Sequence, residues 1–295
     1  MESCAYRFTK RPPFLAGCFH WKERGYSYSG SPDLDLLAPG ALGCTDPWLR
    51  LAAVLERSKR GDRSQVSALA DLVSDENIDP TLASGILDLI ADVGARSELE
   101  LLARFMIDGA DFLKVEAASA ARWAGVLWLI PYMAEVIVST PRRSDRDTVE
   151  AAISALLDPL IGDNLAFFDC SDSPRDYAER VTRRVDELAS HAGTDEAAVF
   201  AGELIDMRKL ILYMQERLKT PTSDLWGDFL LLRHKFEAYT GADCSRFYRN
   251  GDFRPLSARV VVEDFIKVNP ELKCKVGHRY FFMHEVSGNG RRTSR

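Results

Sequence analysis

Apolar and polar positions recur along the middle of the chain with a helical period, and the pattern repeats itself. Arg63-Ser64-Gln65-Val66 lines up with Arg96-Ser97-Glu98-Leu99; in the same register Leu69 falls on Leu102, Ala70 on Ala103, Leu72 on Phe105, Val73 on Met106 and Asp75 on Asp108, an offset of 33 residues. A second pair, Val115-Glu116-Ala117-Ala118 and Val149-Glu150-Ala151-Ala152, is offset by 34, with Leu82-Ala83-Ser84 one step earlier. Two alternating helix types at one period predict helical hairpins, each too thin to bury its apolar face alone, so that neighbours stack and cover one another. The expected fold class is all-α: HEAT-like stacked hairpins, then a C-terminal helical section ending in a short extended segment.

Capping chemistry sets the expected boundaries. Thr45-Asp46-Pro47-Trp48 places a capping side chain before a proline at the first helical position, with Trp48, Leu51, Ala52 and Leu55 on one face and Gly61 as the stop. Helices are expected over Ser64–Val73, Thr81–Val93, Ser97–Ile107, Phe112–Ile130, Tyr132–Val138 and Asp147–Leu157, with Ser64 and Ser97 as caps and Pro131 splitting the long fifth segment. Beyond an irregular run at Phe167–Pro174, the pattern predicts helices at Tyr177–His191, Asp195–Leu218 and Asp224–Tyr239, the last stopped by Thr240-Gly241. A loop-rich section over Ala242–Leu256 precedes a short helix from Ser257 to Ile266. Arg279–Val286 is aromatic and β-prone, and with no second clear strand beside it the expectation is a single extended segment. The chain thus divides into an irregular arm (1–45), a repeat half (46–163), a C-terminal helical half (175–286) and a disordered tail (287–295).

Composition adds a few bounds. With 295 residues, 46% of them hydrophobic, the chain is long enough for one large core or two modest ones. Its longest apolar runs, Trp123–Ile130 and Leu210–Met214, are far shorter than the roughly 20 apolar residues a bilayer span needs, so no membrane partner is expected. Arg7, Lys10 and Arg11 followed by Phe14–Phe19 resemble the start of a signal peptide, but Pro12, Pro13 and Gly17 interrupt the apolar run. The six cysteines, Cys4, Cys18, Cys44, Cys170, Cys244 and Cys274, are scattered without Cys-x-x-Cys spacing, which fits reduced thiols and a cytoplasmic protein.

Charge changes the picture once it is localised. Residues 46–163 hold 20 acidic and 12 basic side chains, and the flanking stretches are each close to neutral. An acidic surface disfavours nucleic acid, whose phosphates require Lys and Arg, and favours a basic protein partner. Asp71, Asp75, Asp108 and Asp111, near the helix ends of the two best-matching repeats, are the candidate contacts, with Trp128 as an anchor.

No arrangement of residues calls for catalysis, a cofactor or a metal. The histidines show no His-x-x-x-His or His-Glu-x-x-His pattern, and there is no Gly-x-Ser-x-Gly or phosphate-cradling glycine loop. Two arrangements leave chemistry open: His278 and His284, which share a face on a strand and suit a metal, and Cys244 with His284 as its base, both in the compact C-terminal section.

The string Phe236-Glu237-Ala238-Tyr239-Thr240-Gly241-Ala242-Asp243-Cys244-Ser245-Arg246-Phe247, then Val262-Glu263-Asp264-Phe265, then Arg279-Tyr280-Phe281-Phe282-Met283-His284, resembles in order and spacing the C-terminal part of helical immunity proteins of bacterial polymorphic toxin systems. The likeness covers the C-terminal quarter of the chain, and departs from it at Met283, where a small residue is expected. It implies a non-enzymatic protein that stays in the producing cell and blocks a cognate toxin by binding it. An acidic helical surface suits a basic, nuclease-like toxin, because carboxylates occupy sites made for phosphates and speed association. A general helical-repeat adaptor or scaffold is the alternative, and an enzyme built on the repeat stack comes third.

Overall fold

The computed structural model describes residues 37, 39–75, 77–159, 173–219, 225–249, 252–273 and 275–286. The expected arm up to residue 36, the irregular connection at 160–172 and the tail from 287 lie outside the described residues. The protein is all-α, with three two-stranded antiparallel hairpins among the described residues. It forms two compact units: one made of the residues up to Leu89 together with Met207–Ser287, the other centred on Ile90–Asp206. The expected division at 163–175 therefore gives way to boundaries at 89/90 and 206/207. The physical reason is that the helix after residue 173 packs against the hairpins that precede it.

In the first unit a short helix α1 (Pro39–Leu42) precedes α2 (Pro47–Ser58). The expected cap is in place: the Asp46 carboxylate accepts the N–H groups of Trp48 at 2.9 Å and Leu49 at 3.2 Å, and Pro47 opens the helix where no N–H is needed. Leu51, Ala52 and Leu55 face the core. The helix expected over Ser64–Val73 is instead a 3₁₀ turn at Ser67–Leu69 and a single turn, α3 (Ala70–Val73). Ser64 gives its N–H and its hydroxyl to Asp62, closing a turn after Gly61 rather than capping a helix. Helix α4 (Pro80–Val93) starts one residue before its expected position.

The same unit continues with α10 (Met207–Lys219), α11 (Leu225–Thr240) and α12 (Pro255–Val268). Helix α11 is its axis, packing on both α10 and the C-terminal hairpin. Phe229 contacts Phe247 and Phe253, and Phe236 meets Phe265 edge-on at 5.1 Å. Gly241, at φ +67°, ends α11 in the left-handed conformation, as the Thr240-Gly241 pair predicts. A small hairpin, β3 (Tyr248–Arg249) with β4 (Asp252–Phe253), leads into α12.

Arg279–Val286 finds its partner strand within itself. Tyr280–Phe281 (β5) pairs with His284–Glu285 (β6) around a two-residue turn, and the two central residues, Phe282 and Met283, both have positive φ. That is the twist a two-residue hairpin turn demands, supplied here without glycine. The hairpin is seated on both sides: Tyr280 lies against Gly241, where any Cβ would meet its ring at 2.9 Å, and His284 lies against Gly61. Lys59 sits over the Phe282 ring at 5.0 Å.

The second unit contains the stacked hairpins. Helices α5 (Arg96–Asp108) and α6 (Asp111–Ala124) form one, α7 (Ile130–Ser139) and α8 (Arg143–Leu157) the next. Helix α5 packs on α7, and α6 on α8. The predicted Val115/Val149 pair of copies therefore lies on stacked helices, with Val115, Ala117, Ala118, Val149 and Ala152 buried. The Arg63/Arg96 pair does not, since its copies fall in different units and only the second forms a full helix. The expected Phe112–Ile130 helix breaks at Gly125, which takes φ +62°, and not at Pro131, which sits in the first turn of α7. A C-terminal glycine in the left-handed region satisfies the last carbonyls and starts a new direction, whereas proline at a helix start is neutral.

Helix α9 (Pro174–Ala192) runs antiparallel to α7. Arg175 in its first turn pairs with Glu135, halfway along α7, while the Asp195 carbonyl beyond its end accepts the N–H of Trp128, ahead of α7. Among the described residues of this unit, α9 packs on the second of two hairpins. The long helix expected over Asp195–Leu218 is replaced by a hairpin, β1 (Val199–Phe200) with β2 (Glu203–Leu204), and then α10. Ala201 and Gly202 turn with positive φ, and a Cβ on Gly202 would stand 2.9 Å from the Leu157 carbonyl oxygen, so tertiary contact selects the turn over the helix.

Candidate partner-binding surface

Of the residues proposed for contact, Asp71 and Asp75 lie in the first unit and Asp108, Asp111 and Trp128 in the second. Asp71 is exposed on the one-turn helix α3. Asp75 is also exposed, but its carboxylate accepts the Asn77 N–H at 2.9 Å and shapes the turn before α4.

Asp108 and Asp111 are brought together by the tight turn between α5 and α6. Asp108 is the last residue of α5, Asp111 the first of α6, and only Gly109-Ala110 intervenes. The Gly109 N–H on the Phe105 carbonyl closes the end of α5 and the Lys114 N–H on the Ala110 carbonyl opens α6, each at 3.0 Å. Gly109 is required there, because a Cβ would come within 2.4 Å of the Phe105 oxygen. Both carboxylates are exposed, and neither has an ion-pair partner among the described residues. Two large apolar side chains flank them in the open: Ile107, 53% exposed, and Phe112, 40% exposed.

Sequence reasoning missed Ile107 and Phe112. The available signal was helical phasing: Ile107 lies off the buried stripe Leu99-Leu102-Ala103-Met106, and Phe112 precedes the stripe that begins at Leu113.

The two acids are not equivalent. Asp111 stands at a helix N-terminus, where a negative charge is favoured, but Asp108 stands at a C-terminus, where the helix dipole favours a cation. Asp108→Asn is therefore expected to raise the free protein's stability by about 0.3–0.5 kcal/mol at low salt. The gain should shrink as ionic strength rises, which a urea midpoint series at two salt concentrations measures.

Trp128 is not presented to a partner. It is 8% exposed, in the 3₁₀ turn Leu127–Leu129, with the Arg96 guanidinium over its ring at 3.8 Å and the Tyr132 ring edge-on at 6.3 Å. Arg96 in turn pairs with Glu196 at 2.6 Å, Glu100 at 3.3 Å and Asp195 at 3.7 Å. Trp128 is thus a packing anchor joining the start of α5 to the segment after α9. The surface above it belongs to Arg96 and Tyr132.

The unit boundaries also relocate the charge. Ile90–Asp206 carries 22 acidic and 11 basic side chains, a sharper excess than that of residues 46–163. The acids of α9 and of the segment after it, assigned by sequence to a near-neutral half, belong with the hairpins.

The residues weighed for chemistry are placed as follows. Cys244 is fully buried, and burial, reinforced by the Glu237 carboxylate, pushes its thiol well above the ordinary range. A nucleophilic cysteine needs the opposite shift. His278 pairs with Glu285 across the C-terminal hairpin, while His284 faces Gly61. Cys44 is disulfide-bonded, against the expectation of reduced thiols throughout; its partner lies outside the described residues. No group of His, Cys, Asp and Glu suited to a metal occurs among the described residues.

Lys59 is a base whose titration the fold shifts. Burial lowers its ammonium from 10.5 to about 8, partly countered by Glu56 at 3.1 Å. Because the folded chain releases this proton more readily than the unfolded one, stability is expected to rise as pH climbs from about 8 to 10.5. Lys59→Met removes that rise. Measured against the variant, the parent protein should gain on the order of 3 kcal/mol across this window, read from urea midpoints at matched pH.

No protein-family model, curated protein or solved structure matches the chain. The class defined by the coordinates is an all-α protein. No helix among the described residues is long and apolar enough to cross a membrane.

Proposed function

We propose that the protein is an immunity protein, which neutralises a cognate polymorphic toxin by binding it directly through the acidic helical surface of Ile90–Asp206. The observation that carries this reading is the doubled count of acids over bases across Ile90–Asp206, together with the exposed carboxylates of Asp108 and Asp111, which form no ion pair among the described residues. Such a surface attracts a basic protein at long range and repels nucleic acid. A nuclease-like toxin, whose substrate cleft is basic, is the partner of matching chemistry. The sequence string from Phe236 to His284 points to the same class of protein, and cytoplasmic action in the producing cell follows from that role.

The test is co-expression with the toxin domain encoded beside the gene. The parent chain should restore growth, and Asp108→Lys/Asp111→Lys should restore less of it, with binding that weakens as salt is raised. Full protection by the charge-reversed chain, with salt-independent binding, would remove the acidic surface from the mechanism. A neighbouring gene for a biosynthetic enzyme in place of a secreted toxin would sink the reading as a whole.

A further inference from the structure

We infer that the α5–α6 turn is the hot spot of this acidic surface, a rigid knuckle in which Ile107 and Phe112 anchor a partner segment while Asp108 and Asp111 pair with its Arg or Lys side chains. The inference rests on the binding role proposed above and narrows it to one feature. Exposed aliphatic and aromatic side chains of this size, one at each end of a tight turn, match the usual composition of a binding hot spot, where apolar anchors lie within a charged rim. The turn is short, two residues between two helix ends that are each backbone-bonded, so little conformational entropy is lost when a partner orders it.

The position of Asp108 is the second, independent argument. A carboxylate at the end of a helix, without a counter-ion, opposes the helix dipole in the free protein, and an arriving cation relieves that opposition. Between Phe105 and Leu113 the chain holds two acids and no base, with Arg104 and Lys114 next to this stretch on either side. The nearest bases along the helices, Arg104 and Lys114, form no ion pair with either acid. An apolar pair bracketing two such acids fits a basic-apolar protein segment.

The test uses the full chain as bait for a random dodecapeptide library displayed on phage. Enriched peptides should carry Arg or Lys next to aliphatic or aromatic residues. Their affinity should fall at least tenfold on Ile107→Ser/Phe112→Ser, and three- to tenfold on Asp108→Asn/Asp111→Asn, the latter with loss of salt dependence. Leu256→Ser, an exposed apolar site in the other unit, should change nothing. Thermal melts matching the parent chain establish that each variant is folded. Basic peptides that bind the Ile107/Phe112 variant undiminished would overturn the knuckle and leave the acidic-surface reading standing. Enriched peptides without basic residues, or no enrichment at all, would overturn both.

Discussion

Trp128→Ala is expected to lower stability by about 3–5 kcal/mol, the cost of deleting a large buried aromatic whose site collapses only in part. The ring is a support as well as a filler. Arg96 lies flat on it at 3.8 Å and extends from there to Glu196, so the substitution also frees a guanidinium that now holds the start of α5 to the segment after α9. The indole N–H is buried without a hydrogen-bond partner, so Trp128→Phe keeps most of the apolar contact and exposes no donor to loss. The phenylalanine variant should therefore cost less than half as much. Urea midpoints of the two variants at constant m-value measure the difference. Equal losses, or a loss below about 1 kcal/mol in the alanine variant, would mean the ring does not carry the junction.

Glu237→Leu should have an effect of similar size in the other unit. Glu237 lies one turn from Arg233 on α11, at 3.0 Å, and Arg233 is fully buried. Removing the carboxylate takes a counter-charge from a guanidinium in the interior, and breaking a buried pair in this way costs about 3–5 kcal/mol. Replacing both, as Arg233→Met/Glu237→Leu, removes the charge as well as its partner and should recover much of that loss. A double-mutant cycle separates the pair's coupling from the packing change. If the double variant is as unstable as the sum of the single ones, the two side chains act independently and the ion pair does not organise α11.

The turn from Ile107 to Phe112 illustrates how far local pattern reaches. Helix existence was legible because local chemistry decides it: an aspartate before Pro47, a glycine after Thr240, an apolar stripe through Leu99, Leu102 and Met106. The places where pattern misled are those where a distant contact decided between two locally acceptable conformations. Asp195–Leu218 has helix-forming composition, yet Gly202 must let the chain pass the Leu157 carbonyl and becomes a hairpin turn. Arg279–Val286 reads locally as a single extended segment, and instead folds back on itself with Phe282 and Met283 at positive φ.

The candidate surface divides along the same line. Asp108 and Asp111 lie exposed at helix ends as the repeat register places them, because charges near helix ends are a local property. Trp128 was misplaced as an anchor, because the five-residue spacing of Trp123 and Trp128 says that they face apart only if one helix carries both. Gly125 interrupts that helix and turns both rings inward, to 5% and 8% exposure.

By itself the amino-acid sequence determined that this protein is helical, where most of its helices start, and that its acids gather around its central helices, since periodicity, capping and charge count depend only on neighbours along the chain. Only the tertiary structure decided which helices stack, that α9 belongs with the hairpins before it, and that Ile107 and Phe112 are left uncovered beside two unneutralised carboxylates. Those outcomes depend on which apolar faces find each other across long stretches of chain, and a helix's sequence specifies its own apolar face without specifying what will cover it.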